Sequence, residues 1–145
     1  MEIDALYSEI ITEHSRSSRN RRRMENPTVS RQGVNPSCGD ELTLELREDG
    51  GVITDASFTG EGCAISKASA SMMTDIIRGK SRTEAARLCS AFLGMIKGEQ
   101  PDAETLDALE DAAALQGVSK MPARVKCAVL PWHTLKSAIE DLKDQ

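Results

Sequence analysis

Leu42-Thr43-Leu44-Glu45-Leu46-Arg47-Glu48-Asp49-Gly50-Gly51-Val52-Ile53-Thr54-Asp55-Ala56-Ser57-Phe58 is the stretch that settles the fold class. Its leucines at 42, 44 and 46 alternate with Thr43, Glu45 and Arg47, the period of a strand with one face buried. Asp49-Gly50-Gly51 then supplies the residues of a tight turn, since glycine enters positive φ without steric cost. Continued alternation puts Val52, Thr54, Ala56 and Phe58 on one face of a second strand, so the two segments form an antiparallel hairpin. Upstream, Thr28 to Val34 reads as an edge strand, interrupted by Gly33 and closed by Pro36.

Outside the hairpin the period changes to that of a helix. Ile3, Leu6, Tyr7, Ile10 and Ile11 predict an amphipathic helix over residues 2 to 14. Gly60-Glu61-Gly62-Cys63 ends the second strand and opens a helix from Ala64 to Arg78, stopped by Gly79. Cys63 thus falls at a helix N-terminus, where the macrodipole and unpaired N–H groups favour a thiolate. Ser81 and Glu84 form a capping box for a helix ending near Ile96, with Ala85, Leu88, Cys89, Phe92 and Ile96 inward and Gly98 as terminator. Pro101 and Asp102 start another helix, with Leu106, Leu109 and Leu115 on its buried face. Pro122 marks a further start, followed by Arg124-Val125-Lys126-Cys127. Pro131 is expected to break or begin a helix whose stripe is Leu135, Ile139 and Leu142. The class is therefore α+β, a small antiparallel sheet of about three strands against several helices, in one domain spanning residues 1–145.

With 145 residues, 39% hydrophobic and 28% charged, the chain can bury a substantial core. Aromatic residues make up 3%, so aliphatic and methionine packing supplies that core and no stacking platform for nucleic acid exists. A net charge of −5 argues the same way. No apolar run approaches a bilayer span and the N-terminus lacks the core of a signal peptide, so no membrane partner is expected and a cytoplasmic location is. Four cysteines in a reducing compartment point to metal binding or sulfur chemistry rather than disulfides. The arginines at 16, 19, 21, 22 and 23 read as a loop that either solvates the chain or docks an acidic partner, whereas Glu99 to Asp111 holds six acidic residues and no basic one.

Asn35-Pro36-Ser37-Cys38-Gly39-Asp40 is a shaped loop. Pro36 fixes its own φ and pushes Asn35 toward extended geometry, and Gly39 lets the backbone pass close to whatever its neighbours hold. In near-extended backbone Cys38 and Asp40 point the same way, so a thiolate and a carboxylate can converge on Zn²⁺ or iron. Two ligands do not close a tetrahedral site, and Cys63 and Cys127 are the candidates for the rest. The separations, 24 residues between Cys38 and Cys63 and 63 between Cys63 and Cys127, match no local zinc-finger spacing.

The blocks around the cysteines are sharper than their spacing. Asn35-Pro-Ser-Cys-Gly-Asp40, Gly60-Glu-Gly-Cys-Ala-Ile-Ser66 and Arg124-Val-Lys-Cys-Ala128 resemble the three metal-site motifs of the SufU/IscU-type proteins of iron-sulfur cluster biogenesis. Leu6-Tyr7, Ser69-Ala70-Ser71-Met72-Met73 and Trp132 agree with that resemblance, which covers most of the chain and implies a SufE/IscU-like fold. IscU-type scaffolds usually carry His before the third cysteine, where this chain has Lys126, and lack the insertion that here spans roughly residues 82–117. Both departures resemble SufU. The resemblance implies a zinc-containing sulfurtransferase that takes persulfide sulfur from a SufS-type cysteine desulfurase and passes it toward a downstream assembly scaffold. Carried over by motif, the zinc ligands are Cys38, Asp40, Cys63 and Cys127. Cys38 is the sulfur acceptor, and Arg124 balances or gates the site.

Two other functions are compatible with the same motifs: a scaffold that builds and hands on a transient iron-sulfur cluster, and a zinc-stabilised interaction module without chemistry. Cys89, on an apolar helix face, reads as an inert buried thiol. His14 and His133 read as surface or cap residues.

Overall fold

The computed structural model describes residues 2–36 and 39–143, with side chains from residue 9 onward. Helix α1 (Glu2–Arg16) is followed by strands β1 (Val29–Asn35), β2 (Asp40–Asp49) and β3 (Val52–Glu61), then by helices α2 (Ala64–Ile77), α3 (Arg82–Ile96) and α4 (Ala103–Leu109), a 3-10 helix (Glu110–Lys120) and α5 (Pro122–Lys143). The strands form an antiparallel sheet in the order β1-β2-β3. The α+β class and the edge strand follow the sequence pattern.

Gly50 and Gly51 turn the β2–β3 hairpin at φ of 62° and 86°, the two consecutive positive values of a tight two-residue loop. Leu42, Leu44 and Leu46 lie opposite Gly60, Phe58 and Ala56, and all three leucines are buried. The alternation fails at the start of β3. Arg47 pairs with Asp55 and Glu48 with Ile53, which leaves Thr54 as the extra residue of a β-bulge. One extra residue reverses the faces beyond it, so Ile53 is fully buried while Val52 and Thr54 are exposed. The expected inward placement of Val52 and Thr54 is corrected accordingly.

Helices α2 and α5 cover one face of the sheet. Gly33 lets α5 come down on β1: a Cβ there would lie 2.0 Å from Thr134 Oγ1 and 3.3 Å from Leu130 Cδ1. Pro131 does not break this helix, which runs unbroken for 22 residues. Pro131 offers no N–H to the Cys127 carbonyl and normally costs a helix about 3 kcal/mol. Burial of Cys127, Ala128, Leu130 and Trp132 before and beside it, and of Leu135, Ala138, Ile139 and Leu142 after it, exceeds that cost. Trp132 stacks on Phe92 with ring centroids 4.2 Å apart and donates to Ser69 Oγ at 3.1 Å, and Ser69 in turn donates to the Ala128 carbonyl at 2.6 Å.

Residues 82–117 supply α3, α4 and most of the 3-10 helix. Ser81 and Asp102 cap α3 and α4 through the N–H groups of Glu84 and Thr105. The helix expected to continue past Leu109 stops there, because Glu110 takes φ of 50° and the chain tightens to the 3-10 form. Leu109, Ala112, Leu115 and Val118, three residues apart, are its buried edge, as a three-residue turn requires.

The basic segment folds back instead of standing free. Arg19 pairs with Asp75 and Arg22 with Asp55, Arg21 bridges to Phe58 of β3, and the Met24 N–H donates to the buried Glu45 Oε1 at 3.0 Å. His14 is no surface residue. It is 8% exposed, with Nδ1 3.0 Å from Ser71 Oγ on α2 and Nε2 2.9 Å from Asp111 Oδ2, and so clasps α1, α2 and the 3-10 helix together. His133 is exposed, as expected.

The bulge makes a direct prediction. Ile53→Ala should cost about 2–5 kcal/mol in denaturant unfolding, and Val52→Ala less than about 1 kcal/mol. Equal losses would restore strict alternation.

Candidate metal centre

Three chain segments meet at one end of the sheet. Asp40 is the first residue of β2, reached through Gly39 at φ of 70°. Cys63 is the N-cap residue of α2, directly after β3. Cys127 lies in the second turn of α5 and is 1% exposed. Gly60, at φ of 142°, lets the end of β3 press against β2, where a Cβ would meet the Glu41 carbonyl oxygen at 2.2 Å.

One carboxylate oxygen of Asp40 and the sulfurs of Cys63 and Cys127 lie within 4.8 Å of one another. Donors around a tetrahedral zinc stand about 3.5–3.8 Å apart, so a contraction of about 1 Å closes them on an ion. Asp40 is 1% exposed, and its two oxygens differ. Oδ1 lies 3.0 Å from the Cys63 nitrogen and 3.3 Å from Ser66 Oγ. Oδ2 is buried with no hydrogen-bond partner among the described residues. A buried carboxylate oxygen without a donor is costly, and a cation bound at Asp40 would offset the cost. The donor set of two thiols and a carboxylate suits zinc or iron.

The thiols are not equivalent. Burial, the largest influence, pushes the Cys63 thiol up. It is outweighed by donation to its sulfur from the Ser66 N–H, the Cys127 thiol and the Ser66 hydroxyl, while the Asp40 charge adds a small upward push; the net value lies below that of ordinary cysteine. Cys89 is the opposite case. Burial pushes it up to about 12, and its thiol donates to the Trp132 carbonyl at 3.1 Å.

Of the residues singled out in the sequence, Asp40, Cys63 and Cys127 are brought together, and Cys38 lies outside the described residues. Arg124 occupies the first turn of α5 with an exposed side chain, one helical turn before Cys127. Lys126 is exposed as well. Sequence reasoning assigned no role to Gly62 or Ser66. A Cβ at Gly62 would lie 2.3 Å from Ser66 Oγ and 2.8 Å from Asp40 Oδ1, so glycine there keeps the floor of the site open. The three-residue step from Cys63 to Ser66 is the available signal, because it returns the hydroxyl to the helix start.

The profile of the NifU-like N-terminal domain family matches residues 6–128. The chain is 43% identical over 137 residues to the zinc-dependent sulfurtransferase SufU of Bacillus subtilis (strain 168), covering 94% of this chain and 91% of that protein. It is 38% identical over 138 residues to the iron-sulfur cluster assembly scaffold protein IscU of Streptococcus pyogenes serotype M1, covering 95% and 85%. Among solved structures, FiSufU from Fervidobacterium islandicum AW-1 superposes with a TM-score of 0.87 at 38% identity, over 93% of this chain and 97% of that one. The N-terminal part of a NifU-like protein from Brucella abortus shares the fold, with a TM-score of 0.86 at 22% identity over 100% and 99%.

In the metal-free protein, alkylation of Cys63 should follow a thiolate titration centred below the ordinary cysteine value, while Cys89 stays unmodified until the chain unfolds. Mass mapping of both residues across pH checks this, and comparable rates at Cys63 and Cys89 in the native state would contradict it.

Proposed function

The chain belongs to the NifU-like N-terminal domain family, in its SufU/IscU group, and on that premise we propose that it is a zinc-dependent sulfurtransferase of iron-sulfur cluster assembly. The observation that carries the reading is the meeting of one Asp40 carboxylate oxygen with the sulfurs of Cys63 and Cys127, in a chain 43% identical to a protein of that description. Asp40, Cys63 and Cys127 hold the ion, and Cys38, two residues before Asp40, is the fourth ligand and the sulfur acceptor. When bound, zinc supplies the charge that keeps the thiols deprotonated.

The transfer itself is an exchange at sulfur. The Cys38 thiolate attacks the outer sulfur of a cysteine persulfide on a SufS-type desulfurase. The S–S bond of the donor breaks, the donor cysteine leaves as a thiolate, and the sulfur remains as a persulfide on Cys38. A downstream assembly scaffold takes it from there. Asp40 would be a hard oxygen ligand among soft sulfurs, the member of the set held least firmly by a borderline-soft ion. Arg124 and Lys126, exposed at the start of α5, offset the negative charge of the thiolates. The arginine segment is a weaker docking element than its composition implies, because Arg19 and Arg22 are already paired within the chain. Reduced thiols at the centre suit the cytoplasm.

The scaffold reading draws on the IscU relatives and differs in its metal. Anaerobically purified protein should contain one zinc per chain and no labile iron. After incubation with a SufS-type desulfurase and cysteine, intact mass should rise by one sulfur located at Cys38, and Cys38→Ser should take up none. Stable iron with no sulfur at Cys38 would favour the scaffold instead.

A further inference from the structure

Helix α2 starts without a cap of its own. Its N-cap residue is Cys63, in extended backbone at φ −75° and ψ 172°, and its sulfur, though close enough to Ser66 to feel its donors, forms no full cap hydrogen bond. Sulfur is a weak acceptor for the N–H groups that a helix leaves unpaired at its start. The acceptor comes from another segment. Asp40 Oδ1, on β2, lies 3.0 Å from the Cys63 nitrogen and 3.3 Å from the Ser66 hydroxyl, which also lies 3.0 Å from the Cys63 carbonyl oxygen. Gly62 makes the approach possible, since a Cβ would sit 2.8 Å from Oδ1. The backbone of Gly62 is not in the left-handed region, so space alone requires glycine there.

We propose that Asp40 caps α2 from across the sheet with one oxygen and presents the other to the metal, so that the helix fixes the ligand in place. The inference rests on the reading of this site as a metal centre. In this arrangement the position of the carboxylate is set by α2, with or without an ion. Oδ1 holds the Cys63 N–H at the positive end of the helix, so part of the buried charge is compensated before any ion is bound.

Asp40→Asn and Asp40→Ala separate the two roles. Asparagine keeps a carbonyl oxygen for the cap, at which it performs as well as aspartate, but puts an amide NH₂ where Oδ2 stood. In chelated, zinc-free protein the melting temperature of Asp40→Asn should lie within about 1 °C of wild type, and that of Asp40→Ala about 2–6 °C lower, the shift expected for a lost cap in a chain of this size. Zinc affinity, measured by competition with a chromophoric chelator, should fall at least about tenfold in both. Coincident zinc-free melting temperatures for the Asn and Ala variants would overturn the cap. An Asn variant that binds zinc as tightly as wild type would overturn Asp40 as a ligand, a separate failure because the first is read without metal. Should Asp40→Ala not fold, amide hydrogen exchange at Cys63 decides. Zinc-free wild type and Asp40→Asn should protect this amide alike, and an unprotected amide in wild type would overturn the cap.

Discussion

Helix α5 can rest on the sheet because Gly33 has no side chain, and the geometry of the metal centre depends on that contact. Thr134 and Leu130 occupy the space a Cβ would need, and α5 runs from there back to Cys127 at the end of the sheet where Asp40 begins β2. Glycine weakens a strand, and at an edge the loss is smallest. The sequence accepts a poorer β1 so that a helix carrying one cysteine reaches the loop between β3 and α2 carrying another. Helix α2 is fixed from both sides, by the Ser69 hydroxyl on the Ala128 carbonyl and by His14 on Ser71.

The site that results is built from two kinds of sulfur surroundings and one asymmetric carboxylate. Cys63 stands at a helix start among donors, which outweigh the effect of its partial burial, whereas Cys89 is wrapped in apolar side chains and donates to a carbonyl. Both belong to helices and both are cysteines. What separates a candidate ligand from a small hydrophobe is the count of N–H and O–H groups aimed at the sulfur. Asp40 follows the same logic at oxygen, with donors on Oδ1 and none on Oδ2 among the described residues.

Much of this was legible in the residues. The leucine alternation, the double-glycine turn, the caps at Ser81 and Asp102 and the placement of Cys63 at a helix start all express local preferences that the fold leaves intact. The failures share a cause, namely contacts between segments distant in sequence. A period-two pattern cannot see the extra residue at Thr54, and Pro131 reads as a break because packing on both halves of α5 is invisible from composition. The 3-10 helix did carry a signal, the three-residue step of Leu109, Ala112, Leu115 and Val118, which a search for helical periods passes over. His14 looked like a surface or cap residue because Ser71 and Asp111 lie 57 and 97 positions away. Asp40 was legible as a candidate ligand from its motif; its hold on α2 was not.

Trp132 is the one tryptophan of the chain, fully buried against Phe92 and joined through Ser69 to the carbonyl next to Cys127. Its indole is therefore an optical probe already installed a short hydrogen-bonded path from the sulfur. Excited to the red of Tyr7 absorption, intrinsic emission comes from this indole alone, and a change in how α5 seats against α2 registers there without any label.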